Sequence, residues 1–199
     1  MAKIYLIIIF ITICVLAGLN SVFALFIYNV SALQIASVVL TSVALVVIID
    51  TFFAIFIGIL PKVLFSIKNP CFYVSKKEQK FYESLKIRKW KDYVWELGWL
   101  GGFSKRKIKS TNDPKYFEKF IIESNRGMTE HCLGMVFGFS IIAPYPQYVW
   151  SIGLPIAIMN VILNVLPTMI LRYNSPKLRS IHKGLLKREL KHTKNLGGN

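Results

Sequence analysis

The stretch Phe117–Phe139, FEKFIIESNRGMTEHCLGMVFGF, decides how this chain is read. It is apolar enough to enter a membrane, yet its first half carries Glu123, Arg126, Glu130 and His131. On a helix these four side chains fall within an arc of roughly 140°. The opposite face is Phe, Ile, Leu, Val and Met. A helix with one ionisable face and one lipid-like face is costly to insert, and the usual reason for it is a polar site inside a helical bundle. The competing reading is a soluble amphipathic helix with a solvated face. The surroundings of the stretch favour the first.

Of the 199 residues, 54% are hydrophobic and 18% charged, whereas about a quarter of an ordinary soluble domain is charged. Lys and Arg number 25 against 10 acidic residues, a formal charge of +15. Such an excess suits nucleic acid or an anionic membrane surface. The long apolar runs choose the membrane, and no nucleic-acid partner is expected. Cys14, Cys71 and Cys132 form no CxxC and no metal-spaced cluster, so neither a disulfide framework nor a metal is expected. No P-loop or GxGxxG is present, and no cofactor is expected.

Outward from the opening stretch, the sequence predicts an all-α integral membrane protein. Four transmembrane helices are expected over residues 4–28, 33–60, 119–143 and 149–171, each near the ~20 residues a bilayer needs. The first run also resembles a signal peptide, but its length favours retention. Between the second and third spans, residues 62–118 form a cytoplasmic, basic segment. Within it, KKEQKFYESLKIRKWKDYVWELGW predicts an amphipathic interfacial helix with Trp90, Tyr93, Trp95 and Trp99 at headgroup level. Gly101 and Gly102 break that helix, and the KRKIK run at 105–109 is a solvated loop. Asp113-Pro114 signals the next helix start, and Pro144 with Pro146 its end. Residues 172–199 are a basic tail ending in a disordered NLGGN. The whole of 1–199 reads as one membrane domain.

Charge gives the orientation. The short turns near Asn29 and Tyr145–Tyr148 are uncharged, whereas Lys3, the 62–118 segment and the tail are basic. The positive-inside rule then puts both termini in the cytoplasm of a multi-pass plasma-membrane protein, its basic parts against anionic lipids.

Rise per residue gives depth. Asp50 lies about 16 Å inward from Pro61, His131 about 18 Å from Lys119, and Asn164 about 12 Å from Arg172. Three helices thus bring polar groups to a similar level, with Glu123 and Arg126 shallower. Structural roles remain open for each: Asn160 and Asn164 as interhelical hydrogen-bond partners, Asp50 or Glu130 as partners of Arg126, and Glu123–Arg126 as an i,i+3 pair. His131 beside Glu130, level with Asp50, has the setting of a general base acting on a hydroxyl.

The blocks FYESLKIRKWKD, IIESNRGMTEH and NVLPTMILRYNSPKL, in this order between Phe81 and Leu178, resemble the glycosyl-4,4'-diaponeurosporenoate acyltransferase family. These are small bacterial membrane proteins whose named member acylates the glucose of a carotenoid glycoside, completing staphyloxanthin. The matching positions are Arg88, Lys89, Trp90 and Lys91, then Glu123, Arg126 and His131, then Asn164, Arg172, Tyr173, Asn174 and Pro176. The chain departs from the pattern at Met128, where a Glu is expected, and at Pro167, one position displaced.

The resemblance implies a membrane acyltransferase that moves a fatty acyl group to a hydroxyl of a glycolipid-like acceptor such as a carotenoid glycoside. The donor would be acyl-CoA or an acyl-carrier protein. On this reading His131 is the general base, oriented by Asp50 or Glu130. Asn164 faces the developing oxyanion. Arg126, Arg88, Lys89 and Lys91 take the donor's anionic part, with Glu123, Trp90, Arg172, Tyr173 and Asn174 completing the substrate site. The alternatives are a non-catalytic lipid-binding or assembly protein, and another membrane transferase such as an isoprenoid-directed methyltransferase.

Overall fold

The computed structural model describes residues 2–23, 26–27, 30–94 and 112–196. Trp95, Trp99, Gly101, Gly102, the KRKIK run, Asn29 and residues 197–199 lie outside them. Among the described residues the chain is helical, with no strand.

The first helix, α1, runs Ala2–Phe23, and α2 runs Ala32–Ile59. Ser31 starts α2 by accepting a hydrogen bond from the Gln34 amide at 3.2 Å, which satisfies one of the orphan N–H groups of the first turn. Leu60-Pro61 ends it. A strap of short 3-10 turns follows, then α3 (Lys76–Ser84) and α4 (Ile87–Trp90). α5 spans Pro114–Phe137, with Asp113 capping the Lys115 amide at 2.8 Å and Pro114 in the first turn, where its missing N–H costs nothing. Residues 138–153 turn the chain through 3-10 and π geometry, and α6 returns over Leu154–Leu196.

The basic segment is not one interfacial helix. Lys86 adopts φ 53°, and this left-handed residue separates α3 from α4. The tail also differs from expectation. α6 does not stop near Leu171 but runs on to Leu196, 43 residues in all, through Pro167 and Pro176. At ~1.5 Å per residue that is about 65 Å, roughly twice a hydrocarbon core.

Among the described residues two helices, not four, are long and apolar enough to cross a membrane: 32–59 and the helical run 146–194. α5 fails because Glu118, Lys119, Glu123, Arg126 and Glu130 are spread through it. The apolar stretch described within α1, Phe10–Asn20, is too short. The most apolar window of α2 is only 17% buried. Leu33, Leu40, Val47, Phe52, Ile55 and Ile59 all point outward. A soluble core helix hides such residues; this one displays them.

Two apolar clusters hold the bundle. At one end Ile35, Val38 and Val39 of α2 meet Ile141, Tyr148, Ile152, Ile156 and Ala157. Asn20 of α1 ties in there, donating to the Leu16 and Ser151 carbonyls at 2.8 and 2.9 Å. At the other end Phe117, Phe120 and Ile121 of α5 pack on Leu178 and Leu185 of α6. α5 and α6 are antiparallel, and between the clusters lies a polar layer.

Candidate functional site

The polar layer begins with two glycines. Gly134 on α5 and Gly138 at its C-cap lie one turn apart, where α2 and α6 come close. A Cβ on Gly134 would stand 2.5 Å from Asp50 Oδ1, and one on Gly138 would stand 2.2 Å from Asn160 Nδ2. Only glycine leaves room for the polar side chains of the neighbouring helices. Small residues four apart are a known device for close helix approach, and the GMVFG spacing was visible in the sequence.

Into that room α6 projects Asn160 and Asn164, both nearly fully buried. Asn160 Nδ2 donates to the Gly134 carbonyl at 3.0 Å. Asn164 Nδ2 faces three acceptors: Asn160 Oδ1 at 2.8 Å, the Asn160 carbonyl at 3.1 Å and Asp50 Oδ2 at 3.3 Å. Flipping either amide would set oxygen against oxygen, so both orientations follow from chemistry. Asn164 Oδ1 is left facing His131 Nδ1 at 2.8 Å. An amide oxygen only accepts, so His131 Nδ1 carries the proton. The neutral ring then has its lone pair on Nε2. Asp50 Oδ1 is buried without a hydrogen-bond partner among the described residues.

His131, Asn164 and Asp50 are therefore brought together, with Asn164 as the bridge. His131 Nδ1 donates to Asn164 Oδ1 rather than to a carboxylate. The Asn164 amide N–H groups are occupied by acceptors inside the bundle, which leaves none aimed at an oxyanion. Glu130 is half-buried beside His131 on α5.

The arginines are engaged elsewhere. Arg126 donates to the Leu60 carbonyl at 2.7 Å, pairs with Glu123 at 3.4 Å and lies over the Phe65 ring at 5.4 Å. It thus closes the end of α2. Arg172 makes a two-pronged contact with Glu78 and donates to the Tyr73 carbonyl at 3.2 Å. Tyr82 adds a 2.7 Å bond to Glu78. The Arg172 guanidinium holds the Glu78 carboxyl below its ordinary range. Burial, aided by the Glu78 hydrogen bond, pushes the Tyr82 phenol up to about 12. The pair therefore stays ionised and the phenol stays a donor around neutral pH.

Arg88 and Lys89 are exposed on α4, and Lys91 is half-buried just after it. Trp90 Nε1 donates to the Leu85 carbonyl at 3.0 Å, which fastens α4 to the turn before it. Tyr173 and Asn174 are half-buried on α6 next to Arg172.

Sequence reasoning missed Glu78, Asn125 and Arg179. Asn125 holds the Phe65 carbonyl at 2.9 Å, and Arg179 reaches the Ile67 and Phe72 carbonyls across the Tyr73 ring. These side chains satisfy a strap whose backbone has no regular partners. Only the Ser75-x-x-Glu78 pattern was a local signal, and it advertises a helix cap, not an ion pair. Among the described residues no group of His, Cys, Asp and Glu could hold a metal.

No curated protein and no solved structure matches this chain. A family model matches across the strap, the basic-aromatic block, α5 and most of α6. Over residues 61–183, more than half of its length, the chain matches the model of CrtO, glycosyl-4,4'-diaponeurosporenoate acyltransferase, and it belongs to that family of acyltransferases.

Proposed function

We propose that this protein is a membrane O-acyltransferase whose base is His131, acting on a sugar hydroxyl of a glycosylated carotenoid or a similar glycolipid. The observation that carries the proposal is the 2.8 Å bond between His131 Nδ1 and Asn164 Oδ1, with the Asn164 amide orientation set by its acceptors. It supports the tautomer with the proton on Nδ1, in which the neutral ring keeps its lone pair on Nε2.

The reaction balances with this group alone. Nε2 takes the proton of the acceptor hydroxyl as its oxygen attacks the acyl carbon of a thioester. The tetrahedral adduct collapses, the C–S bond breaks, and the proton passes from Nε2 to the leaving sulfur. An ester and a thiol result. Asn164 and Asp50 are positioning residues in this scheme. Glu130 flanks the base. Arg88 and Lys89, exposed on α4, meet the donor's anionic part, with Lys91, Trp90, Tyr173 and Asn174 beside it. Arg126, Glu123 and Arg172 hold the walls.

α2 and the first half of α6 cross the bilayer, α1 runs alongside, and the second half of α5 enters between them. The polar layer is then at membrane depth, and the bilayer boundary is near Arg126 and Arg172. Both termini and the basic segment face the cytoplasm of a cell-membrane protein, with the basic segment against its anionic lipids. The outward apolar face of α2 supports this arrangement.

The test is acyl transfer in membranes at equal protein level. His131→Ala should lower kcat by about 10²–10⁴-fold, the range for losing a general base. Asn164→Ala should lower kcat more than it alters KM. Full activity in His131→Ala overturns the assignment. A second reading rests on the same network: Asn160, Asn164 and His131 satisfy one another, as a purely structural core does. On that reading His131→Ala lowers the amount of folded protein and leaves the turnover of the folded fraction unchanged.

A further inference from the structure

On the topology proposed above, we infer that the distal half of α6 is a docking face for an acidic, water-soluble protein that delivers the acyl group as a thioester. Lys183, Lys187, Lys191 and Lys194 recur at spacings of four, four and three. They therefore share one side of the helix within roughly 80°. That side lies opposite the one Leu178 and Leu185 bury against α5. All four lysines are exposed, and Leu190 at their edge is 63% exposed. Glu189 is the only acidic residue between His131 and Asn199, and it falls on a different side of the helix.

Distance separates this stripe from the membrane. The four lysines lie about 16–33 Å along the helix beyond Arg172. The Debye length at physiological salt is about 8 Å, so the headgroup charge does not reach them. The apolar α5–α6 contact keeps this half of α6 alongside α5, away from the headgroups. Lysines fanned along one helix face over about 17 Å diverge, so they do not converge on a nucleotide as a phosphate pocket must. They match a row of carboxylates on a second protein, and exposed Leu190 supplies an apolar contact within the charged rim.

The experiment uses the full chain in nanodiscs and a palmitoyl-loaded bacterial acyl carrier protein as the probe. Binding is measured directly, and transfer is measured with that donor and with palmitoyl-CoA. Wild type should bind the carrier in a salt-sensitive way. Charge reversal at Lys183, Lys187, Lys191 and Lys194 should weaken binding by roughly tenfold or more. The variant's kcat/KM should fall with the carrier-borne donor and hold with palmitoyl-CoA. Lysine-to-glutamine variants should give a smaller loss in the same order. Unchanged binding in the reversal variant overturns the inference. So does an equal fall with both donors, or a loss seen only in nanodiscs containing anionic lipid, which would mark a lipid contact. Carrier binding without transfer by wild type supports the docking face and counts against the acyltransferase reading, so the two fail separately.

Discussion

One pair of helices, α5 and α6, is joined by two different chemistries. Near the turn, Gly134 and Gly138 meet Asn160 and Asn164 through close backbone approach and hydrogen bonds. Further along, Phe117, Phe120 and Ile121 meet Leu178 and Leu185 through large apolar side chains. In hydrocarbon a leucine gains little by leaving lipid for protein, so helices associate through small residues and polar contacts. In water the same leucine gains about 25 cal/mol per Å² of apolar surface buried. On the proposed topology, the change in packing chemistry is what a change of solvent demands. Arg126, donating to the Leu60 carbonyl just past the end of α2, sits where one regime gives way to the other.

The comparison breaks most strongly at Phe117, which is only 2% exposed. Phe117→Ala should cost about 3–5 kcal/mol, the transfer term plus a cavity. The loss should be local to the water-side zone. Amide exchange should speed up over residues 178–190 and stay slow around Asn160 and Asn164. Equal acceleration in both zones would show that they are one cooperative unit.

The lipid-side zone is tested at Gly134. The added methyl of Gly134→Ala would meet Asp50 Oδ1 at 2.5 Å and the Asn164 amide at 3.4 Å. Both are side-chain ends and can move, so the expected cost is about 1–3 kcal/mol. Activity should fall by more than stability does, because Asn164 orients His131. Gly184→Ala is the control. Nothing lies within 4 Å of a Cβ there, and the helix should gain up to about 1 kcal/mol. Thermal unfolding with turnover per folded molecule separates the two variants. A neutral Gly134→Ala would remove the close-approach account of this zone.

The same contrast explains what could be read in advance. Helix content, the α2 run and the level shared by Asp50, His131 and Asn164 follow from hydropathy and rise per residue, both local to the sequence. The Glu123–Arg126 pair follows from i,i+3 spacing. The extent of α6 does not. The basic tail from Arg172 reads as the end of the span, but packing of Leu178 and Leu185 on α5 carries the helix on through it. The apolar face of α5 resembles one facing lipid, but in its first half that face meets α6 instead. Arg126 and Arg172 read as ligand binders and Arg179 carries no signal at all, whereas backbone carbonyls of a distant strap and Glu78 occupy all three. Those partners lie 66 to 112 residues away, beyond any spacing rule.

The smallest effect expected is at the clamp between α3 and α6, which joins the basic segment to the boundary of the two zones. Glu78→Gln leaves Arg172 without its carboxylate. The side chains are 23% and 25% exposed, so solvent screening limits the loss to about 1 kcal/mol. The pH dependence has a definite sign. Glu78 has a lowered value in the folded state, so its contribution is complete above the ordinary 4.5 and is lost as pH falls through the folded value. Tyr82 has a raised value, so its contribution is complete below 10.0 and is lost as pH rises towards about 12. Protection of the α3 amides should therefore be level between these limits, decline on both sides, and lose its acid limb in Glu78→Gln. Tyr82→Phe should remove the alkaline limb and keep the acid one. An acid limb that persists in Glu78→Gln would assign it to another carboxylate and detach the clamp from Arg172.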